Sequence, residues 1–155
     1  MPRHWLMKSE PKVYSIQDLE REGRTYWDGI RNYQARNYMR DEMKQGDLVL
    51  FYHSNAQPTG VAGIAAVSRE AYPDFTAWDP ASDHYDARST PDHPLWVMVD
   101  IQFRQRLPRV VTLDEIRKEP TLKDMVLVQN SRLSIQPVKS QEFKRIVKMA
   151  GERPD

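Results

Sequence analysis

Polar and aromatic side chains crowd into the stretch Trp27-Asp28-Gly29-Ile30-Arg31-Asn32-Tyr33-Gln34-Ala35-Arg36-Asn37, where little reads as ordinary core filling. Asp28-Gly29 is a turn signal, because Gly accepts positive φ and Asp can bond its own backbone. Asn32 is a candidate N-cap, its side-chain carbonyl placed to take a free N–H of the first turn. Trp27 then stands at the mouth of a helix, beside that helix's donor-rich end, which suits a flat ligand bearing acceptor atoms. The alternative is that Trp27 packs in the core and Asp28 merely closes a turn. Other aromatics in polar contexts are Tyr52, Trp78 and Tyr85, and further hydrogen-bonding groups stand at Ser9, Gln34, His53 and Ser54. Stacking one base on such a ring is worth ~1–3 kcal/mol. Removing a base from its duplex costs a few kcal/mol, so a pocket that accepts one needs both ring faces and edge-reading groups.

Other chemistries are poorly supplied. His4, His53, His84 and His93 are dispersed, without the HExxH spacing that sets two ligands on one helix face. His84 with Asp83 and Asp86 reads as an exposed polar turn rather than a metal centre. No GxxxxGK[ST] or GxGxxG seats a triphosphate or dinucleotide, so no cofactor is expected. Cysteine is absent, which removes thiolate catalysis, disulfides and the CxxC ligands of a zinc base deaminase. A hydrolase needs nucleophile, base and orienting acid. Ser9, His53 and Asp28 offer the types, and a cleft joining them is the alternative function, an enzyme acting on a nucleotide or small molecule.

The elements that must position these groups follow from periodicity and punctuation. His4–Lys8 reads as a strand stopped by Ser9-Glu10-Pro11. Ser15 with Asp18 resembles a capping box opening a short helix that Gly23 closes. Asn32 starts a second helix reaching about Lys44. Leu48–Tyr52 is apolar throughout, as in a strand buried on both faces. The polar loop His53–Gly60 leads to a second strand, Val61–Val67, whose small residues admit close approach. Tyr72–Pro94 is a long irregular segment rich in Pro and aromatics, a length that usually accompanies function. Leu95–Phe103 is a further strand, Thr112-Leu113-Asp114-Glu115 opens a helix stopped at Pro120, and Arg132–Val138 is a late strand. Ser140 caps a terminal helix burying Phe143, Ile146, Val147 and Ala150. This order predicts a single α+β domain on a small antiparallel sheet or closed barrel.

At 155 residues the chain buries roughly two-thirds of its unfolded surface. A net charge of +1 argues against a general polyanion binder, although the Arg104, Arg106, Arg109 cluster and the basic C-terminal region permit one basic face. No apolar run is long enough to span a bilayer and no signal-peptide core is visible. A soluble cytoplasmic protein with no membrane partner is expected.

Joint motifs carry a resemblance. Trp5-Leu6-Met7-Lys8-Ser9-Glu10-Pro11, Tyr14-Ser15, the Trp27–Asn37 stretch, Phe51-Tyr52-His53-Ser54-Asn55, Tyr72-Pro73-Asp74, Asp79-Pro80, Tyr85-Asp86 and Arg132-Leu133-Ser134-Ile135-Gln136-Pro137-Val138 resemble, in order, the motifs of the EVE domain. That resemblance covers residues 1–155 as one domain. It implies a PUA-like pseudobarrel of mixed and antiparallel strands surrounded by short helices, related in shape to the YTH domain. It further implies a non-catalytic reader of DNA or RNA that flips a modified base, modified cytosine first, into an aromatic cage. Carried onto this chain, Lys8 and Ser9 line the pocket floor, Trp27 forms one wall, and Asp28 and Asn32 read the base edge, beside Gln34, which the residue types alone offer for that role. Tyr52, His53 and Ser54 line the neighbouring strand end, and the loop from Phe75 to Tyr85 supplies the opposing wall, with Trp78 the foremost candidate. Arg31, Arg36 and Arg132 meet backbone phosphates, which position without specifying. A wall of this kind should be dispensable for folding, so Trp27→Ala should abolish binding at nearly unchanged melting temperature.

Overall fold

The computed structural model describes residues 3–130 and 132–152. Six strands form one sheet: β1 His4–Ser9, β2 Arg24–Tyr26, β3 Leu48–His53, β4 Gly60–Pro73, β5 Val97–Thr112 and β6 Ile135–Val138. Their spatial order is β2-β5-β4-β3-β1-β6. β1 runs parallel to β3, and every other neighbouring pair is antiparallel. Helices α1 Ile16–Glu22 and α2 Tyr33–Asp41 cover one face, and α3 Leu113–Lys118, α4 Val126–Gln129 and α5 Ser140–Ala150 the other. This is the mixed sheet with short helices expected of a PUA-like domain.

Strand alternation explains the two cores. Successive side chains point to opposite faces, so Trp5, Met7, Val49 and Phe51 join α1 and α2, while Leu6, Leu50 and Tyr52 join the opposite helices. Val49 to Tyr52 are all buried, as an internal strand requires. Ile16 and Leu19 anchor α1 to the sheet, each burial contributing about 1.5–3 kcal/mol.

Local punctuation reads as the sequence suggests at several places. Ser15 and Asp18 exchange capping-box hydrogen bonds, Gly23 closes α1 at φ +82°, and Thr112 with Glu115 caps α3. Asn32 Oδ1 accepts the Ala35 N–H at 2.9 Å. Elsewhere the boundaries move. α2 stops at Asp41, short of Lys44. β4 continues past Val67 to Pro73, and β5 starts at Val97 and continues past Phe103 to Thr112. Register shifts along this pair let the two strands stay paired while bending. β6 begins at Ile135, not Arg132. Lys139, not Ser140, precedes α5, where the Glu142 carboxylate accepts the Lys139 N–H at 2.9 Å. The segment between β4 and β5 holds one short 3-10 turn, Phe75–Trp78. No helix among the described residues is long and apolar enough to cross a membrane.

Candidate functional site

A cleft of about 620 Å³ opens beside Trp27, where the end of β1, the exit of β2 and the β4–β5 segment meet. Trp27 continues the β2 pairing, its N–H donating to Val99 O at 2.8 Å. Its indole is only 8% exposed. It packs edge-on against Phe51 at 5.6 Å and Tyr14 at 6.4 Å between ring centroids, and it also lines the cleft. The ring is therefore both core and wall, which corrects the expectation that it is dispensable for folding.

The turn after Trp27 is fixed by a carboxylate far along the chain. Asp74, fully buried, accepts the Gly29 N–H at 2.9 Å and Arg31 Nη1 at 3.0 Å on one oxygen, and the Thr76 N–H and hydroxyl on the other. Burial alone would raise the Asp74 carboxyl, but these hydrogen bonds outweigh it and hold it below the usual range. Gly29 has φ +80°, and a Cβ there would lie 2.6 Å from His84 Nε2. Only glycine meets both demands. His84 is thus seated against the turn, with Nδ1 3.3 Å from Asp28 Oδ2.

The opposite lip is the turn between β1 and α1. The Ser9 hydroxyl donates to Tyr14 O at 2.6 Å, and the Val13 and Tyr14 N–H groups donate to Glu10 O at 2.9 Å. The Tyr14 hydroxyl donates to Glu22 Oε1 at 2.7 Å. Burial, reinforced by that hydrogen bond, pushes the Tyr14 phenol up to about 12. Burial also lowers the Lys8 ammonium below the ordinary lysine range.

Of the residues singled out from the sequence, Lys8, Ser9, Trp27 and Asp28 line this cleft. The others do not. Asn32 gives its side-chain oxygen to Ala35 as a helix cap, and Gln34 is exposed with its amide 3.4 Å from the Tyr38 hydroxyl. Tyr52 faces the other core, where the Lys8 ammonium lies 5.5 Å from its ring. His53 accepts the Ile16 N–H on Nε2 at 3.1 Å, and burial holds its imidazole below the usual pKa. It lines a separate groove of about 860 Å³. Ser54 is not among the residues lining the cleft, and its N–H donates to Ser9 O at 3.0 Å. Trp78 lies outside the cleft, its buried indole N–H without a partner among the described residues. Tyr85 is half-exposed beside Arg31 and Trp96 in a small depression.

The ring faces and edges at the cleft come instead from Tyr14, Tyr26 and the His84 imidazole. Tyr14 belongs to the motif Tyr14-Ser15, which was the signal available for it. His84 does lie in a turn with its side chain 40% exposed, but its ring also borders the cleft; among the described residues no group of three His, Asp or Glu is gathered as for a metal ion.

Two of the three arginines assigned to phosphates are occupied. Arg31 donates from Nε and Nη2 to His84 O at 3.1 and 2.6 Å, and from Nη1 to Asp74 and Ile30 O. Its guanidinium also covers the Trp96 ring at 5.4 Å. Arg36 bonds Asn37 and Leu95 O and lies 4.8 Å over Tyr33, which itself stacks on Trp96. Arg31 holds the long segment against the turn before α2, and Arg36 holds the end of that segment against α2 itself. Arg132 is exposed, two residues from Ser134 on the cleft wall. Ser9 and His53 are register partners on β1 and β3, but His53 lines a different groove from Ser9 and Asp28 and both Ser9 and His53 are engaged by backbone groups, so no Ser–His–Asp relay is formed among the described residues.

Sheet order, paired cores and this cleft define a PUA-like domain, and the chain belongs to the EVE domain family, whose model matches residues 3–149. Within that family it is 41% identical to human thymocyte nuclear protein 1, across 97% of this chain and 75% of that protein. The solved structure of human THYN1 protein in complex with 5-methylcytosine-containing DNA matches with TM-score 0.92 and 42% identity, covering 98% of this chain and 99% of that one. A hypothetical protein from Leishmania major matches with TM-score 0.94 and 46% identity, covering 97% and 96%. The YTH domain of Zygosaccharomyces rouxii MRB1 shares the fold at TM-score 0.56 and 18% identity, covering 99% of this chain and 87% of that one.

Proposed function

We propose that this chain is a non-catalytic reader of nucleic acid that holds one modified base, 5-methylcytosine first, in the cleft beside Trp27. The observation that carries the reading is a single cavity combining indole, phenol and imidazole rings with a carboxylate and a hydroxyl at its rim. Its support is the human relative, whose solved chain matches 98% of this one and is in complex with 5-methylcytosine-containing DNA. Rings supply the stacking that replaces lost base–base contact. Asp28 is the acceptor type that suits the 4-amino group of cytosine. Arg132 and Lys12 lie outside the cleft as exposed cations for the backbone.

Fluorescence anisotropy with oligonucleotides differing only in the cytosine 5-methyl group tests this. The methylated strand should bind more tightly, and Asp28→Asn should weaken it by about tenfold, since hydrogen bonds to charged groups contribute ~1.5–3 kcal/mol. Equal affinity for the two strands overturns the reading. A melting screen with modified nucleosides, in DNA and RNA form, would rank the candidates. Saturation at a hundred times the Kd adds ~2.7 kcal/mol to folding stability.

A further inference from the structure

The turn spanning residues 10–14 divides two concavities. Glu10, Val13 and Tyr14 face the Trp27 cleft, while Pro11 and Lys12 face the larger groove. At its crest Val13 is 76% exposed, more than any other large hydrophobic among the described residues. A single exposed valine is unremarked on most surfaces. This one sits on a turn braced from several sides. Its own N–H and that of Tyr14 bond Glu10 O, the Ser9 hydroxyl bonds Tyr14 O, and Asn55 Nδ2 donates to Glu10 Oε1 at 2.6 Å. The result is a braced apolar knob at the lip of a cavity with room for a base.

We infer that Val13 is a wedge and that the partner is a duplex. As a base turns into the cleft, the isopropyl group enters the gap left in the stack, and Lys12 meets the adjoining phosphates from the groove side. Extruding a paired base leaves its neighbours unstacked, and apolar side chains inserted at such a step replace the lost contact. A single strand presents no such gap, so Val13 gains nothing there. This inference rests on the reading of the cleft given above.

The test compares wild type, Val13→Ser and Val13→Ile on a 5-methylcytosine duplex, on the same methylated strand unpaired, and on the unmethylated duplex and unmethylated strand. Val13→Ser should weaken the methylated duplex roughly tenfold, ~1.4 kcal/mol, and the single strand by less than about twofold. Val13→Ile should restore duplex binding. 2-Aminopurine placed opposite the methylated base should brighten with wild type and Val13→Ile, and stay dim with Val13→Ser. Equal loss on duplex and strand, no loss on either, or tighter binding of the single strand by wild type overturns the wedge. Wild type that ignores the methyl group in both forms overturns the cleft reading, and the wedge falls with it. Because Val13 is exposed, all three proteins should melt together, and the comparison is of binding alone.

Discussion

Replacing Trp27 separates its two roles by size of effect. The indole is 8% exposed and packs edge-on against Phe51 and Tyr14, contacts worth ~0.5–1.5 kcal/mol each beyond area. Truncating a buried Trp to Ala costs about 3–5 kcal/mol. One side of the ring already borders the cleft, which favours the lower figure, about 3 kcal/mol. For a domain of this size that lowers Tm by on the order of 10 °C. Trp27→Phe keeps a ring face and fills most of the volume, so its cost falls to about 1–2 kcal/mol. Binding should divide differently. Loss of the stacking surface weakens a bound base by ~1–3 kcal/mol, between roughly fivefold and two-hundredfold, in Trp27→Ala. Trp27→Phe should stay within about fivefold of wild type. Scanning calorimetry and anisotropy, the latter below the lowest Tm, measure both quantities on the same samples. An Ala variant melting within about 2 °C of wild type would refute the structural role assigned to the ring. An Ala variant that melts early yet binds unchanged would refute its place at the ligand.

Three further outcomes follow from the turn and its supports. Asp74→Ala leaves the Gly29 N–H and the Arg31 cation without their buried acceptor, and should cost about 3 kcal/mol by urea denaturation. The Asp74 carboxyl is held below its ordinary 3.8, so its contribution is complete above that pH and is lost as pH falls through the lower folded value. Acid titration of wild type against Asp74→Ala should show the difference closing there. Gly29→Ala combines a positive φ with a contact of 2.6 Å to the His84 ring and should cost about 1–3 kcal/mol, with His84 displaced from Asp28 in NMR shifts. His53→Ala removes the acceptor of the Ile16 N–H and should cost about 1–2 kcal/mol. The His53 imidazole lies below its ordinary 6.5, so its stabilisation is present above that pH and lost as pH falls through the folded value. The variant should lack that slope in Tm against pH while keeping the binding preference.

Features set by neighbouring residues were legible in the chain; those set by distant partners were not. Ser15, Asn32 and Thr112 cap helices because a short side chain reaches an N–H three residues on, and such bonds need no tertiary context. The apolar run of β3 declared an internal strand for a similar reason. The full length of β4 and β5 was hidden, because bulges restore pairing only when both strands are considered. At the site, Trp27 and Asp28 were visible as an unusual pair of types in one turn. Tyr52 and His53 illustrate the opposite case: adjacency in sequence places them on opposite faces of a strand, so no single cavity holds both. Arg31 looked like a free cation until its acceptor, 43 residues away, was placed beside it. Trp78 reads from the sequence as a pocket group where His84 stands, because the path of the long segment depends on the bonds that Arg31, far away in the chain, makes to Asp74 and His84 O.

The Asp74 carboxylate joins two pieces of backbone that lie 45 residues apart in the chain. The 28–31 turn and the opening of the β4–β5 segment therefore form one inheritable cassette. Anyone re-engineering ligand preference by swapping that segment with a relative's should transplant the turn along with it. A segment exchanged alone arrives without its latch, and the cavity mouth takes whatever width the mismatch leaves.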